Sequence, residues 1–224
     1  MNYAKQTSRM KKIFVTIICS LFFPTFFVHG HAQKEQKQTT AIGQRWSPEK
    51  AAAWYKEHQW ITGANYLPAT AINQLEMWQA ETFDTATISK EFKWAQNIGF
   101  NTMRVFLHSL VWKQGSQGFK NRINQYLNIA DRHGIKTMFV FFDDCWNKEP
   151  KPGKQPDPKP GVHNSGWMQD PGQRASSDST QFPVLQQYVT DIMTTFGKDK
   201  RILLWDLYNE PGNSGKRDSS LNLV

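Results

Sequence analysis

The sequence predicts an α/β fold built around a parallel sheet, and three observations lead to this prediction. Apolar strand candidates alternate along the chain with segments whose apolar residues recur at helical spacing. Two of these helical segments end at a glycine just before the next strand, at Gly99 and Gly134. The strand candidate at 135–142, "IKTMFVFF", is apolar almost without alternation, which is typical of parallel strands buried on both faces.

The elements follow in a regular order from residue 47. Ser47, Pro48 and Glu49 form a helix start, with a capping hydroxyl, a proline in the first turn and an early acid. Strands are predicted at 60–66, 100–107, 135–142 and 202–208. The helices between them are marked by apolar residues at helical spacing: Ile88, Phe92, Ala95 and Ile98; Ile123, Tyr126, Leu127 and Ala130; Leu185, Tyr188, Val189, Ile192 and Phe196.

Two architectures fit this rhythm, an open doubly wound sheet and a (β/α)₈ barrel. A nucleotide-binding open sheet should carry a glycine-rich turn after its first strand, but residues 65–68 read Asn-Tyr-Leu-Pro. Polar or aromatic residues instead follow the strands: Arg104 and His108; Asp143, Asp144 and Trp146; Asn209 and Glu210. Barrels carry their chemistry at the carboxyl ends of their strands. We therefore predict a (β/α)₈ TIM barrel, truncated to about its first four βα units.

The connection at 147–180 is long and holds six prolines and four glycines. Loops of this length are uncommon in compact domains and are usually functional, although a tolerated surface insertion is the alternative. Because it follows the third strand, it is expected on the catalytic face of a barrel.

The first residues are predicted to be an export signal. Residues 1–32 combine a basic start, an apolar stretch at 13–28 and a small-residue cleavage site, and residues 33–45 read as a disordered leader. Removal of the signal lowers the net charge from +8 to +4 and leaves one cysteine, Cys145. We expect a secreted or periplasmic protein with no nucleic-acid partner and no membrane attachment after cleavage.

The segment "LLWDLYNEPG" at 203–212 ends an apolar strand in a carboxylate, Glu210. Cleavage of a glycosidic bond needs one carboxyl group that protonates the departing oxygen and a second that attacks or activates water. The acid must hold its proton near neutral pH, which burial among aromatic residues would favour. An adjacent amide, Asn209, would donate hydrogen bonds to a sugar hydroxyl or to the partner carboxylate.

The segment 205–211, "WDLYNEP", resembles the W-x-x-x-N-E-P segment that ends strand four in clan A glycoside hydrolases, especially the cellulase-like family 5. The resemblance covers about residues 46–215, the N-terminal half of such a barrel. It implies that Glu210 is the acid/base, that Asn209 contacts substrate and that Arg104 supports the nucleophile. It also implies a retaining enzyme that acts on β-linked polysaccharide or oligosaccharide, cellulase-, mannanase- or xylanase-like, and monomeric when full-length.

The nucleophile of this family is a second glutamate after strand seven, so the resemblance implies that it lies outside this chain. We therefore expect the chain alone to be inactive, with 216–224 as a non-native or disordered tail. Two alternatives remain open: a non-catalytic carbohydrate-binding half-barrel and a gene fragment without function.

Further side chains are candidates for sugar contact, each with a structural alternative. His108 could touch the sugar or serve as a hydrogen-bonded structural residue. Asp143 and Asp144 could bind hydroxyls or cap the loop start. Trp146 and Trp167 could stack on pyranose faces or pack ordinarily, and Asn65 is a weaker candidate. No histidine–acid cluster has metal-ligand spacing, so neither a metal nor another cofactor is expected.

Overall fold

The computed structural model describes residues 45–58, 60–213 and 215, and it shows an α/β fold with four parallel strands. The elements in chain order are α1 (Pro48–Lys56), β1 (Gly63–Asn65), α2 (Gln74–Trp78), α3 (Thr85–Asn97), β2 (Thr102–Phe106), α4 (Ser109–Gln114), α5 (Ser116–Arg132), β3 (Lys136–Asp143), α6 (Gln173–Ser176), a 3₁₀ turn (Ser179–Gln181), α7 (Phe182–Phe196) and β4 (Ile202–Asn209). The predicted signal peptide, nearly all of the predicted leader and the predicted tail lie outside the described residues.

The strands lie side by side in their order along the chain, β1-β2-β3-β4, and every neighbouring pair is parallel. The α/β class and the parallel sheet predicted from the sequence are therefore confirmed. The register aligns Arg104 of β2 with Met138 of β3, and Met138 with Leu204 of β4. Because paired residues on neighbouring strands point to the same side of a sheet, these three side chains share one face.

The hydrophobic core lies between the sheet and the helices, and Trp78 is near its centre. Its indole is fully buried and contacts Phe119, Tyr126 and Phe139 at ring-centroid distances of 5.6, 5.5 and 6.4 Å. The indole N–H donates to the carbonyl of Phe106 at 2.8 Å, which satisfies the polar group that burial takes out of water. This contact joins helix α2 to the second strand.

The turns behave as the sequence predicts at two glycines. Gly99 and Gly134 follow α3 and α5 with φ of 90° and 67°, a left-handed backbone that glycine adopts without strain. The prediction for Ile98 was wrong: it lies one residue beyond α3 and is 72% exposed. The first strand is also shorter than predicted, with three residues in place of 60–66.

The long connection after β3 is not structureless. It contains α6 and the 3₁₀ turn, and Asp170 pairs antiparallel with Asp143 at the end of β3 through backbone hydrogen bonds of 2.8 and 3.0 Å. A second bridge joins Asn147 to Met168. The connection is therefore fixed to the carboxyl edge of the sheet, where the sequence placed it.

A side chain of β2 links this strand to both outer strands of the sheet. One guanidinium group, that of Arg104, donates to Asn65 on β1 at 3.2 Å and to Asn209 on β4 at 2.9 Å. At the other end of the sheet, residues at or near the starts of the four strands line one cavity of about 220 Å³: Ile61, Asn101, Lys136 and Leu203.

No helix in the part of the chain that the structure describes is both long and apolar enough to cross a membrane.

Candidate active site

The candidate site lies at the carboxyl ends of the strands, and Arg104 is at its centre. The guanidinium donates to Asp206 on β4 from Nε at 3.2 Å and from Nη2 at 2.5 Å. It also lies over the ring of Phe106, with its central carbon 4.7 Å from the ring centroid. With Asn65 and Asn209 as further acceptors, the side chain is held by four residues from three strands. Arg104 therefore lies beside Asn209 near the carboxyl edge of the sheet, where its ion pair with Asp206 gives it a structural role.

Asn209 ends β4 with both ends of its amide engaged. Its oxygen accepts from Arg104 at 2.9 Å, and its nitrogen donates to Asp143 at 2.9 Å. Because a guanidinium has donors only and an ionised carboxylate has acceptors only, the orientation of the amide is determined. The amide nitrogen also donates to the sulfur of Cys145 at 3.4 Å, so both of its hydrogens have acceptors.

Glu210 follows directly and has an unusual backbone. Its φ is 48°, a left-handed conformation that is uncommon for a residue with a side chain. Such conformations persist where the surrounding structure imposes them and cluster at functional sites. The side chain is exposed, which corrects the expectation that aromatic residues bury it. The carboxylate lies close enough to Cys145 to accept a hydrogen bond from its thiol.

The turn after β4 is held by Asp144, which is buried and not a sugar contact. The carboxylate of Asp144 accepts from the backbone N–H of Gly212 at 2.8 Å, and its own N–H donates to the carbonyl of Asn209 at 3.1 Å. Only 2% of Asp144 is exposed. The loop-capping alternative from the sequence is thus the role that the structure assigns, and this capping sets the path of the chain at Glu210.

Asp143 lies below Asn209 and is almost fully buried. One carboxyl oxygen accepts from Asn209 and, at 3.0 Å, from the N–H of Cys145, while the other oxygen is buried without a hydrogen-bond partner. Burial raises the pKa of Asp143 to about 6, against the opposing effect of these hydrogen bonds and of Arg104. Asp143 therefore gains or loses its proton near pH 6, and because it is buried it is not accessible to a sugar hydroxyl.

Cys145 is a free cysteine at this site, and its thiol is expected to be unreactive. Burial raises the pKa of its thiol to about 12, and the neighbouring carboxylates of Asp143 and Glu210 add to this shift. A thiol that stays protonated at neutral pH is a poor nucleophile. Its sulfur accepts from the amide of Asn213 at 3.2 Å, so its role is to pack between the turn and β3.

His108 lies outside the rim and cannot contact a sugar, which corrects that expectation. It is fully buried, its Nδ1 accepts from the N–H of Leu110 at 3.2 Å, and its Nε2 donates to the carbonyl of Gln169 at 3.1 Å. Burial lowers the pKa of His108 to about 3, so the ring is neutral. The sequence alternative, a hydrogen-bonded structural histidine, describes it correctly.

Asp170, on the long connection, was not anticipated from the sequence. Its carboxyl group accepts from the backbone and the hydroxyl of Ser109 and lies 3.3 Å from Nδ1 of His108. Burial raises the pKa of Asp170 to about 7, and the charge of Asp143 contributes to the shift. This cluster anchors the connection beneath the site.

The two tryptophans expected to meet substrate lie on the same edge but differ in exposure. Trp146 is 38% exposed, has a left-handed φ of 72°, and contacts His163 at a centroid distance of 5.3 Å. Trp167 is half-buried, packs its edge against Phe106 at 5.5 Å, and lines an open cavity of about 400 Å³ with Leu67. Trp146 is thus the more accessible platform, and its backbone strain parallels that of Glu210.

Asp206 was not predicted as a site residue, although the sequence contains a signal for it. Asp206 is a charged residue inside the apolar run "ILLWDLYN", as Arg104 is inside "TMRVF". A charged side chain in a partly covered strand is stabilised by a partner of opposite charge, and Arg104 and Asp206 form such an ion pair across the sheet. Within the described ranges, no three His, Cys, Asp or Glu side chains are grouped so as to hold a metal ion.

Comparison with models of known protein families gives no match to this chain, and comparison with curated proteins gives none either. The residues and geometry of the rim therefore carry the functional assignment.

Proposed function

We propose that the parallel sheet is part of a (β/α)₈ barrel. Its strands lie in sequential order, whereas doubly wound sheets reverse their order near the first strand. Arg104 of β2 contacts Asn65 on β1 and Asn209 on β4, which links three strands near their carboxyl ends. A closed parallel barrel carries its catalytic groups at the carboxyl ends of its strands, where the cluster around Asn209 lies.

We infer that the protein is a retaining glycoside hydrolase that acts on β-linked polysaccharide or oligosaccharide, with Glu210 as the acid/base. One observation carries this inference: Glu210 lies at the rim directly after Asn209, whose amide is oriented by Arg104 and Asp143. A proton donor for a glycosidic oxygen must reach the bond, and the exposed side chain permits this. A sugar hydroxyl that replaced the Cys145 sulfur as acceptor from the Asn209 amide would form a contact that strengthens in the transition state.

The reaction requires a second carboxylate, about 5–5.5 Å from the first in retaining enzymes. The nearest carboxylates on the described strands and turns already have other partners: Asp143 accepts from Asn209, Asp144 from Gly212, and Asp206 from Arg104. We therefore propose that the attacking carboxylate comes from outside the described residues and meets Glu210 across the mouth of the barrel.

The exposed aromatic side chains near the carboxyl ends of the strands support a carbohydrate substrate. Pyranose rings present C–H faces that pack on aromatic rings, and Trp146 offers such a surface beside Glu210's strand. Trp167 and the cavity beside it extend this surface along the edge. An exported enzyme acting on β-linked chains outside the cell fits the signal expected from the sequence.

Aryl β-glycosides with good and poor leaving groups test the acid role. We expect Glu210→Gln to lower kcat/KM about 100-fold or more for poor leaving groups, because these depart only when protonated, and to affect dinitrophenyl glycosides little. Glu81→Gln, at an exposed glutamate outside the cluster, is the matched control and should behave as wild type. The comparison requires protein that includes the attacking carboxylate, and equal loss on both substrate classes would reject the assignment.

A further inference from the structure

A cavity of about 720 Å³ lies between two parts of the long connection, residues 148–151 and residues 171–181. Its volume is within the range of about 300–1,000 Å³ that is typical of ligand sites. Lys148 in its lining follows Trp146 by two residues, so the Cα atoms of these residues are at most about 7 Å apart. The cavity therefore adjoins the aromatic surface to which we assigned the sugar chain.

The two walls of this cavity are fixed against each other. The N–H of Gln173 donates to the carbonyl of Lys148 at 3.0 Å. Gly172 packs so closely on Pro150 that a Cβ atom at position 172 would lie 2.5 Å from the Cδ atom of the proline. Pro171 and Gly172 are both buried. The cavity is therefore held open by close packing and a hydrogen bond between the two walls.

Positive charge exceeds negative charge in the lining. Three of the lining side chains are cationic: Lys148, Lys151 and Arg174. Among the residues that the structure describes, none of these three lies within ion-pair distance of an acid. Two acids also line the cavity, Glu149 and Asp178, and an oxygen of Asp178 already accepts from the N–H and the hydroxyl of Thr180 at 3.0 and 2.7 Å. A concave surface with this balance of charge attracts an anionic ligand.

We propose that this cavity binds the carboxylate of a uronic acid, so that the β-linked substrate chain carries acidic sugar residues, an inference that rests on the proposed function. The guanidinium of Arg174 can donate two parallel N–H bonds to a carboxylate, and a lysine adds a point charge. Glu149 and Gln181 supply acceptors for sugar hydroxyls. The apolar part of the lining is suited to the C–H face of a pyranose ring: Leu110, Pro150 and Pro171.

The choice of a sugar acid over an inorganic anion follows from this mixture of groups. Sulfate or phosphate would use the three cations, but it has no C–H face for the apolar lining, and the carboxylate of Glu149 would repel it. A neutral sugar would use the acceptors and the apolar lining but would leave the cations without a counter-charge. A uronic acid satisfies all three parts of the lining.

Isothermal titration calorimetry of the purified full chain tests the proposal without requiring turnover. The probes are glucuronate, glucose, inorganic sulfate, and a β-1,4-xylo-oligosaccharide with and without a glucuronate branch. We expect glucuronate to bind at least about tenfold more tightly than glucose or sulfate, and the branched oligosaccharide to bind at least about tenfold more tightly than the unbranched one. Equal affinity for glucose or for sulfate would overturn the assignment. Binding of free glucuronate that the branched oligosaccharide does not share would overturn the link to the substrate chain.

Charge-neutral variants locate the site. Arg174→Gln and Lys151→Gln should each weaken the binding of glucuronate, Arg174→Gln by at least about tenfold, because an amide cannot replace the charged pair of donors. Lys154→Gln, at an exposed lysine of the same connection outside the lining, is the matched control and should change the affinity less than about twofold. Thermal unfolding verifies that each variant is folded. Unchanged affinity in both cavity variants, or equal weakening by Lys154→Gln, would overturn the proposal.

The outcome is separate from that of the proposed function, because binding and acid catalysis are measured independently. Selective binding of glucuronate would support the carboxylate site even if Glu210→Gln affected both classes of aryl glycoside equally, which would reject the acid role. Conversely, the acid role would stand if Glu210→Gln behaved as expected while glucuronate and glucose bound equally, and the cavity assignment would then be wrong.

Discussion

Replacement of Asp143 by asparagine should change how the stability of the fold depends on pH. The carboxyl group of Asp143 is 1% exposed, and burial raises its pKa to about 6, compared with about 3.9 in an unfolded chain. An amide at this position keeps an oxygen to accept from Asn209 and from the N–H of Cys145. The substitution therefore removes the titration while preserving the contacts that matter.

The sign follows from which state holds the proton. Below about pH 4, Asp143 is protonated in both the folded and the unfolded chain. Between about pH 4 and 6 the unfolded chain loses this proton while the folded chain keeps it, so the free energy of unfolding falls by about 1.4 kcal/mol per pH unit. Above the folded pKa of about 6 the loss is complete, at about 3 kcal/mol relative to acid.

Urea denaturation at a series of pH values, for the wild type and Asp143→Asn, measures this difference directly. The raised pKa of Asp170 and the lowered pKa of His108 act in opposite directions, but both groups are present in both proteins. Asp157→Asn, at an exposed carboxylate, should stay within about 0.5 kcal/mol of wild type. If the wild type and Asp143→Asn show the same dependence between pH 4 and 7, the assignment of a buried, raised-pKa carboxyl at this position is refuted.

Two further substitutions probe the sheet itself. Gly63→Ala would place a methyl group 1.9 Å from the carbonyl oxygen of Thr102, so we expect the free energy of unfolding from denaturant titrations to fall by at least about 2 kcal/mol. If the variant is as stable as the wild type, β1 is not packed on β2 in this way. Asp206→Asn leaves Arg104 without its anionic partner. Because both side chains are partly exposed, the free energy of unfolding should fall by about 1–2 kcal/mol. A double-mutant cycle with Arg104→Met should show coupling between the two positions, and its absence would argue against the ion pair.

The strands, helices and their order could be predicted because they follow from local sequence. Apolar periodicity marks α3, α5 and α7, and continuous apolar runs mark β3 and β4, so each element was identified from the residues within it. The short helices α2 and α4 were missed because five or six residues give too little periodicity to recognise. The end of α3 was misplaced at Ile98 because an apolar residue in the helical pattern does not reveal its own exposure.

The candidate site could be predicted in its members but not in their roles. Arg104, Asn209 and Glu210 meet at the rim because parallel strands bring their carboxyl ends to one edge. Burial decides the other roles, and it depends on contacts from distant parts of the chain. His108 is sealed by Gln169 on the long connection, and Asp144 is covered by the turn after β4, so neither is open to a ligand.

The choice of asparagine at position 209 shows how the ionic groups of the rim fit together. Its neighbours are a guanidinium that can only donate and, once ionised, a carboxylate that can only accept. An aspartate here would satisfy Arg104 but would set a second carboxyl group against Asp143, and a lysine would do the reverse. Of these side chains, only an amide can bond to both. The two hydrogen bonds fix the position of the end of β4, and Glu210 follows directly. The left-handed backbone of Glu210 lies directly after Asn209, an arrangement that would suit the proton donor we propose.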